Sequence, residues 1–421
     1  MIDSILAKVR KLIPDALYKI LSPIYHWILS AIAACIYRFP SRHIKIIAVT
    51  GTKGKSSTVE IISAILEEAG FKTAITNTIR FKIGNISSDN LYKMSMPGRF
   101  FMHKFLRSAV KAGCNYAILE MTSQGAITYR HLFIDFDVFV FTNLSPEHIE
   151  AHGSYENYRD AKLSIAKRLI LSHKKNRIMI ANADDKEGDK FLACDADEKI
   201  PFKINSLEPY TLKKEGIEFT INDKKVSTHL SGLFNLYNLL AAITTAKSQK
   251  IEDGAIIRAI EKFTGIAGRL ENIDAGQDFK VIVDYAHTAD SLEKVYQVFQ
   301  SSRMICILGG TGGGRDSWKR KEMGRLADEY CDEVILTNED PYDEDPRSIV
   351  DDVAKGMSSP PTIIMDRRLA IREGIKRATT GDAVIITGKG TDPYIMGPNG
   401  SKTPWSDARV AKEELKKNSI L

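Results

Sequence analysis

The stretch IIAVTGTKGKSSTVEIISAILEEAG, residues 46–70, runs from an apolar, strand-like segment through TGTKGKSS into a helical pattern. Strand, glycine loop and amphipathic helix in that order make the architecture of a phosphate-binding loop. Glycine lets backbone N–H groups approach phosphate oxygens. The helix that follows presents unpaired N–H groups and the positive end of its dipole. Lys55 is placed to reach β- and γ-phosphates, and the Ser56 hydroxyl to sit on Mg²⁺. The strict spacing asks for glycine five residues before Gly54, where this chain has Val49. The competing reading is a plain glycine turn in a strand–helix–strand unit.

Further chemistry-bearing residues lie downstream. SGLFNLYNLLAAITTAKSQ (231–249) reads as a helix, on which Asn235 and Asn238, three apart, share a face and can present amides to a base. Asp284 and His287, in DYAHT, stand at a strand end, where open α/β sheets bind ligands. GGTGGGRDSWKR (309–320) is a glycine-rich loop carrying Arg315, Asp316, Lys319 and Arg320.

The elements that must position these residues are legible as alternation. IKIIAVT, YAILEMT, FDVFVFTN, NRIMIAN, FKVIVDYAH, MICILGG, DEVILTN and DAVIITG read as strands, several of them continuously apolar and so buried on both faces of a parallel sheet. Helical patterns such as SSTVEIISAILEEAG, YENYRDAKLSIAKRLI and DDVAKGMSS intervene, which predicts an α/β fold. Around 200–230 the short polar runs GIEFTIND and KKVSTHL suggest an antiparallel edge. A glycine-bearing link, FTGIAGRL (263–270), marks a boundary. The expected division is a helical segment 1–43, a central domain 44–267 and a C-terminal domain 268–421.

A chain of 421 residues, 43% hydrophobic and 27% charged, is globular and long enough for two or three domains. Its net charge of +6 suits an anionic small substrate or a membrane surface and is too weak to argue for nucleic acid. Cys35, Cys114, Cys194, Cys306 and Cys331 are scattered without a CxxC pair, which reads as reduced thiols in a cytoplasmic protein. The first 20 residues hold no long apolar region before a cleavage site, so no cleavable signal is expected. IYHWILSAIAACIY (24–37) is nearly all apolar but 14 residues long. Spanning a bilayer takes about 20 such residues. The segment reads as a buried or docking helix, or as one lying in the membrane interface with Tyr25, Trp27 and Tyr37 as anchors; Pro40 is expected to end it.

TGTKGKSST, LEMTSQGAITYRH (119–131), FTNLSPEHIEAHGSYENYRDAKLSIAKRL (141–169), GLFNLYNLLAA (232–242), GRLENI, VDYAHTADSLEKV (283–295), LGGTGGGRDSWKRKEMG (308–324), TNEDPYDEDP (337–346) and GKGTDPY (388–394) follow one another in family order. Together they resemble the Mur ligase family over residues 44–421, nearest to its muramyl-tripeptide synthetase branch. The resemblance implies a P-loop central domain followed by a Rossmann-like C-terminal domain. It also implies an ATP-dependent reaction in which a substrate carboxylate is phosphorylated and the amine of an incoming amino acid attacks the acyl phosphate. The products are an amide, ADP and phosphate. Phosphoryl transfer gathers negative charge, so cations must be held at the site.

Residue by residue, the resemblance makes Lys55, Glu120, His148, Lys162 and Lys319 catalytic. Ser56 and Glu120 would hold one Mg²⁺ and His148 a second, and Lys162 matches a lysine that many members carry as a carbamate and so as a metal ligand. Thr52, Gly54, Lys55, Ser56, Ser57, Asn235, Asn238, Arg269, Asp284 and His287 would contact ATP, Asp284 at the ribose. Glu339, Asp340, Tyr342, Thr391 and Asp392 would face the amino acid. Closure of the C-terminal domain would bring Lys319 to phosphate and exclude water.

Two departures matter. Where the diaminopimelate-adding type has Asp-Asn-Pro-Arg, this chain has Glu339, Asp340, Pro341 and Tyr342, and Thr391-Asp392 stands in place of His-Glu. Tyrosine makes no bidentate clamp on a carboxylate. Acidic residues without arginine favour lysine or ornithine over diaminopimelate. Tripeptide synthetases also normally carry a longer segment before the loop to hold UDP, whereas this chain reaches its loop at Gly51. Either UDP is held differently, or a partner supplies the contact, or the acceptor is not a UDP-sugar. The expected acceptor is a UDP-linked or lipid-linked muramyl peptide. The expected enzyme is a cytoplasmic monomer, at the inner face of the membrane if residues 24–37 contact it. The alternatives are a folylpolyglutamate synthetase or other poly-γ-glutamyl ligase, whose loop usually reads Gly-Lys-Gly-Ser, and a Mur-like ATP-binding subunit of a complex.

Overall fold

The computed structural model describes residues 15–147, 149–314 and 317–418. They fall into two compact units. One draws on the chain up to Pro209 with 221–224 and 237–262, the other on 210–220, 225–236 and the chain from Phe263.

The first unit is built on eight strands: β1 (Lys45–Thr50), β2 (Thr73–Thr76), β3 (Arg80–Ile83), β4 (Ile86–Asp89), β5 (Tyr116–Glu120), β6 (Val138–Phe141), β7 (Ile178–Asn182) and β8 (Glu198–Phe202). Their order is β4-β3-β2-β5-β1-β6-β7-β8. Strands β2, β5, β1, β6, β7 and β8 are parallel, while β3 and β4 fold back antiparallel at one edge. The central strands are buried on both faces, which is why they read as unbroken apolar runs. Because β1 lies between β5 and β6, with Val49 opposite Glu120 and Thr50 opposite Phe141, three strands deliver their C-terminal loops to one place.

Among its described residues this part of the chain forms the helices α1 (Asp15–Ile36), α2 (Lys55–Glu68), α3 (Arg99–Lys111), α4 (Ser123–Ile127), α5 (Ile149–His152), α6 (Tyr155–Ala166), α7 (Gly188–Leu192), α8 (Leu233–Ser248) and α9 (Asp253–Lys262). Helix α2 is buried from Ser56 to Ser63, polar positions included. Its Glu60 is satisfied by Arg80 (2.6 and 2.9 Å) and Asn77 (2.9 Å), the pairing a buried carboxylate requires. Helix α1 is longer than its apolar stretch and contains Pro23. It ends at Ile36, not at Pro40. Arg38 and Phe39 turn left-handed (φ 58° and 46°), and Pro40 opens a 3-10 turn instead. Among the described residues no helix is long and apolar enough to cross a membrane.

Strands β9 (Thr211–Lys213), β10 (Gly216–Ile221) and β11 (Lys224–Thr228) form a separate three-stranded sheet in which β9 and β10 are antiparallel. The second unit's main sheet comprises β12 (Glu271–Asn272), β13 (Lys280–Val283), β14 (Met304–Leu308), β15 (Glu333–Leu336), β16 (Thr362–Ile363) and β17 (Ala383–Ile386). Its order is β12-β13-β17-β14-β15-β16, parallel except for β12. Helices α10 (Ala289–Phe299), α11 (Lys319–Tyr330), α12 (Pro346–Ala354), α13 (Arg367–Arg377) and α14 (Asp407–Asn418) accompany it, and β18 (Tyr394–Met396) pairs with β19 (Lys402–Pro404). Apolar residues of the sheet divide between two cores: Cys306, Leu308 and Leu336 in one, Ile305, Ile307 and Ile335 in the other.

One expectation fails in this unit. Cys306 and Cys331 are joined in a disulfide, with Cα atoms 6.1 Å apart, so not all five cysteines are reduced thiols. Cys331 directly follows α11 and precedes β15, which pairs with β14 next to Cys306. The strand pairing, not sequence spacing, brings the two sulfurs together. Cys35, Cys114 and Cys194 are free thiols.

Candidate active site

The loop after β1 is held by backbone and side-chain contacts to the loop after β6. Thr52 N donates to Asn143 O (2.8 Å) and Lys53 N to Asn143 Oδ1 (2.9 Å). Asn143 Nδ2 returns a bond to Lys53 O (3.0 Å), and the Thr52 hydroxyl accepts from Ser145 N and lies 3.1 Å from the Tyr158 hydroxyl. Two glycines are required. Gly51 (φ +157°) and Gly54 (φ +78°) have no room for a Cβ, which would lie 2.0 Å from Thr142 Oγ1 and 2.1 Å from Asn238 Oδ1 respectively. The packing against Gly54 brings Asn238, on α8, to the loop. Asn235, one turn earlier, is buried and donates to Ser231 O (2.9 Å).

Around this loop stand the ionisable residues. Lys55 Nζ donates to Thr52 O (2.8 Å) and Lys162 Nζ to Gly51 O (2.7 Å). Ser56 Oγ donates to Glu120 Oε2 (2.7 Å), and Thr78 donates to the same carboxylate through its N–H (3.0 Å) and hydroxyl (3.1 Å). Glu120 is therefore a buried, oriented carboxylate and not a solvated strand end. Ser57 is buried beside Ser56 on α2. Lys162 is wholly buried above the Tyr158 ring, 4.8 Å from its centroid. Burial, followed by the charge of Lys55, drives its ammonium well below the ordinary lysine range, against the opposing pull of Glu147 and Glu120. Burial and the Lys162 charge likewise lower the pKa of His152, whose ring lies 3.1 Å from Ser123 Oγ. His148 lies outside the described residues.

In the second unit, Arg269, Asp284 and His287 gather around Tyr285. The Arg269 guanidinium stacks over the Tyr285 ring at 4.4 Å, and the His287 ring meets its edge at 4.8 Å. Asp284 staples two segments, accepting from Leu270 N and Ala286 N at 2.7 Å each. Gly268 (φ +60°) packs so tightly on the Gly390–Thr391 backbone that a Cβ would fall 2.5 Å from Thr391 N. Lys319 is the buried first residue of α11. Its neighbour Arg320 bonds Thr311 O (3.0 Å), Glu344 (2.7 Å) and Asp352 (3.2 Å).

Asp340 and Asp392 converge on Lys389 and Glu339 lies against Gly388, whereas Thr391 faces the Gly268 turn and Tyr342 (φ +53°) packs its ring on Gly313. Lys389, fully buried, donates to Asp340 Oδ1 (2.7 Å) and Tyr394 O (2.7 Å), with Asp392 at 3.7 Å. Glu339 Oε1 accepts from Thr311 Oγ1 (2.8 Å), while Oε2 is buried without a hydrogen-bond partner. The absence of a Cβ at Gly388 (φ +104°) makes space for that carboxylate: one would lie 2.3 Å from Oε2.

Lys389 was missed by reading motifs, as were Asn143, Tyr158, Thr78 and Glu147, the last paired with Lys53 at 2.7 Å. Lysine between the two glycines of GKG was visible as a signal. The partners across 42 to 106 residues of chain were not.

Models of two families match the chain in order: the Mur ligase middle domain over residues 49–246 and the Mur ligase glutamate ligase domain over 268–390. The UDP-N-acetylmuramoyl-L-alanyl-D-glutamate--2,6-diaminopimelate ligase of Syntrophomonas wolfei is 36% identical over 404 residues, covering 92% of this chain and 81% of that protein. The UDP-N-acetylmuramyl-tripeptide synthetase of Roseiflexus sp. is 33% identical over 415 residues, with the same two coverages of 92% and 81%. A solved UDP-N-acetylmuramoyl-L-alanyl-D-glutamate--2,6-diaminopimelate ligase superposes with a TM-score of 0.61 at 27% identity, over 89% of this chain and 79% of that one. The folylpolyglutamate synthase of Mycobacterium tuberculosis shares the fold, with a TM-score of 0.69 at 15% identity over 86% of this chain and 92% of that one. The chain belongs to the Mur ligase family of ATP- and Mg²⁺-dependent ligases, which join an acid to an amino acid in an amide bond.

Proposed function

We propose that the chain adds a diamino acid to a muramyl dipeptide in the assembly of peptidoglycan. The peptide carboxylate takes the γ-phosphoryl group of ATP, and the amine then displaces phosphate to leave the amide. The observation that carries this reading is the Ser56–Glu120 pair beside a glycine loop on whose carbonyls Lys55 and Lys162 converge. A hydroxyl and a carboxylate are hard oxygen donors suited to Mg²⁺, which keeps most of its sites for water and phosphate oxygens. The metal, when bound, neutralises phosphate charge. Thr52, Gly54 and Ser57 line the phosphates in this reading, and Asn235 and Asn238 offer amides to the base. Arg269, Asp284 and His287 serve the nucleotide from the second unit, and Lys319 meets phosphate. His148 would hold a second Mg²⁺ by resemblance alone.

Lys162 is suited to carbamylation because burial favours the neutral amine, the form that attacks CO₂. The new N–C bond leaves a carbamate anion, and the displaced proton passes to solvent. On the amino-acid side, the unpartnered Glu339 Oε2 is matched to a primary amine, and Asp340 and Asp392 share the charge of Lys389. With Tyr342 in the arginine position, lysine or ornithine is preferred over diaminopimelate. The acceptor is UDP-linked or lipid-linked, and the enzyme is a cytoplasmic monomer.

The test is phosphate release by the purified chain with Mg²⁺, ATP and UDP-MurNAc-L-Ala-D-Glu, offering lysine, ornithine and diaminopimelate singly. Turnover with one diamine is expected. Turnover only with dihydrofolate and glutamate overturns the reading.

A further inference from the structure

Helix α1 is apolar on both sides, and the first unit covers only one. The inner side is seated by specific contacts. Arg99 Nη2 bonds both His26 Nδ1 (2.6 Å) and Thr128 O (3.1 Å), Ser30 Oγ lies 2.9 Å from Tyr129 O, and the Trp27 ring meets the edge of Phe133 at 5.6 Å. Ala33 and Ala34 are fully buried. The outer side carries Leu21, Ile24, Ile28, Ile32 and Ile36, spaced three or four residues apart, with Trp27 beside them. All six are 43–59% exposed. Steps of three and four hold these side chains on one stripe of a helix. A helix that is hydrophobic all round requires cover on every side.

Charge decides what the cover is. Residues 1–43 contain six Lys and Arg (Lys8, Arg10, Lys11, Lys19, Arg38, Arg42) against two acids (Asp3, Asp15). Arg42 is paired with Asp135 (3.2 Å). Lys8, Arg10, Lys11 and Lys19 precede the apolar stretch and Arg38 follows it, so pairing with a second copy sets like charge against like in either orientation. A surface of anionic headgroups complements both ends at once. Trp27 on the exposed face is the residue type enriched at the boundary of headgroup and acyl chain.

We propose that the outer face of α1 docks the enzyme flat on an anionic lipid bilayer, without spanning it. Ser30 of α1 reaches Tyr129, and Arg99, which His26 of α1 contacts, reaches Thr128. Both residues directly follow α4, and α4 begins three residues after Glu120. The docking face and the phosphate loop therefore belong to one unit. Taken with the proposed reaction, on which this clause alone rests, the arrangement favours an acceptor anchored in the bilayer over a freely diffusing one.

The test is co-sedimentation of the full chain with vesicles of phosphatidylglycerol and phosphatidylethanolamine, compared with phosphatidylcholine. The triple variant Ile24→Glu, Ile28→Glu, Ile32→Glu is assayed alongside. These side chains are exposed, so the variant is expected to fold, and an unchanged melting temperature with and without Mg-ATP verifies this independently of any acceptor. Sedimentation with anionic vesicles, reduced at least tenfold by the triple variant and weakened by salt, is the expected result. Wild-type protein that stays in the supernatant overturns the proposal, as does a folded variant that sediments as well as wild type. A vesicle-independent dimer that the variant dissolves also overturns it, assigning the face to a second copy. Phosphate release with the soluble dipeptide is read separately, so loss of docking and failure of the proposed reaction are told apart.

Discussion

The two clusters proposed to meet ligands balance charge differently. At the loop of the first unit, Lys55 and Lys162 donate to backbone carbonyls, and the charges of Glu120 and Glu147 act on Lys162 from nearby. In the second unit, two carboxylates flank one buried ammonium, and beside them one oxygen of the Glu339 carboxylate has no hydrogen bond. In the reading proposed above, the first arrangement is suited to a polyanion and the second to a cation. A ligase that must bring a nucleotide triphosphate and an amine into one reaction needs both, and the chain builds each in a separate unit with its own core.

The contrast can be broken most sharply at Glu120. Glu120→Gln keeps the shape that accepts from Ser56 and Thr78 but removes the anion, and phosphate release should fall roughly 10³-fold with little change in melting temperature. A variant with near-wild-type turnover would remove Glu120 from the chemistry. The next largest effect falls on stability. Lys389→Ala leaves Asp340 as a buried charge without its ammonium, which costs about 3–5 kcal/mol in urea unfolding. A shift below 1 kcal/mol would show that the cluster is solvated.

Lys162 sharpens the comparison through pH. Its pKa is lowered in the folded chain, so between that value and the ordinary lysine value of 10.5 the unfolded chain binds a proton that the folded chain does not. Stability must then rise with pH across that window. Lys162→Met should flatten the rise from neutrality to pH 10, as read from unfolding midpoints at several pH values. The same slope in both proteins would mean that Lys162 keeps its proton. The smallest effect belongs to Glu339→Gln. Losing one charge-assisted bond to an amine should raise the KM for the amino acid about tenfold while kcat changes little. An unchanged KM would place the amine elsewhere.

Much of this was legible beforehand. Each of the eight runs read as strands contains a strand of a main sheet, because continuous burial leaves an unmistakable apolar signature. The loop residues Thr52, Gly54, Lys55 and Ser56 came from one contiguous stretch, read through its strand–loop–helix order and its family resemblance. What escaped notice was set by distant partners. Strands β3 and β4 are four residues each and the latter is fully exposed, so no apolar period announces them. Tyr158 meets Thr52 across 106 residues, and Lys389 meets Asp340 across 49. No local pattern records such encounters. The Cys306–Cys331 pair is of the same kind.

The collision that a Cβ at Gly54 would make with Asn238 has a consequence for recombination. Positions 54 and 238 sit at opposite ends of the middle domain's sequence, yet each limits what the other may become. A chimaera that takes the loop from one ligase and α8 from another inherits two halves of a fit that were never selected together. Breakpoints outside that interval preserve it, and those inside put it at risk.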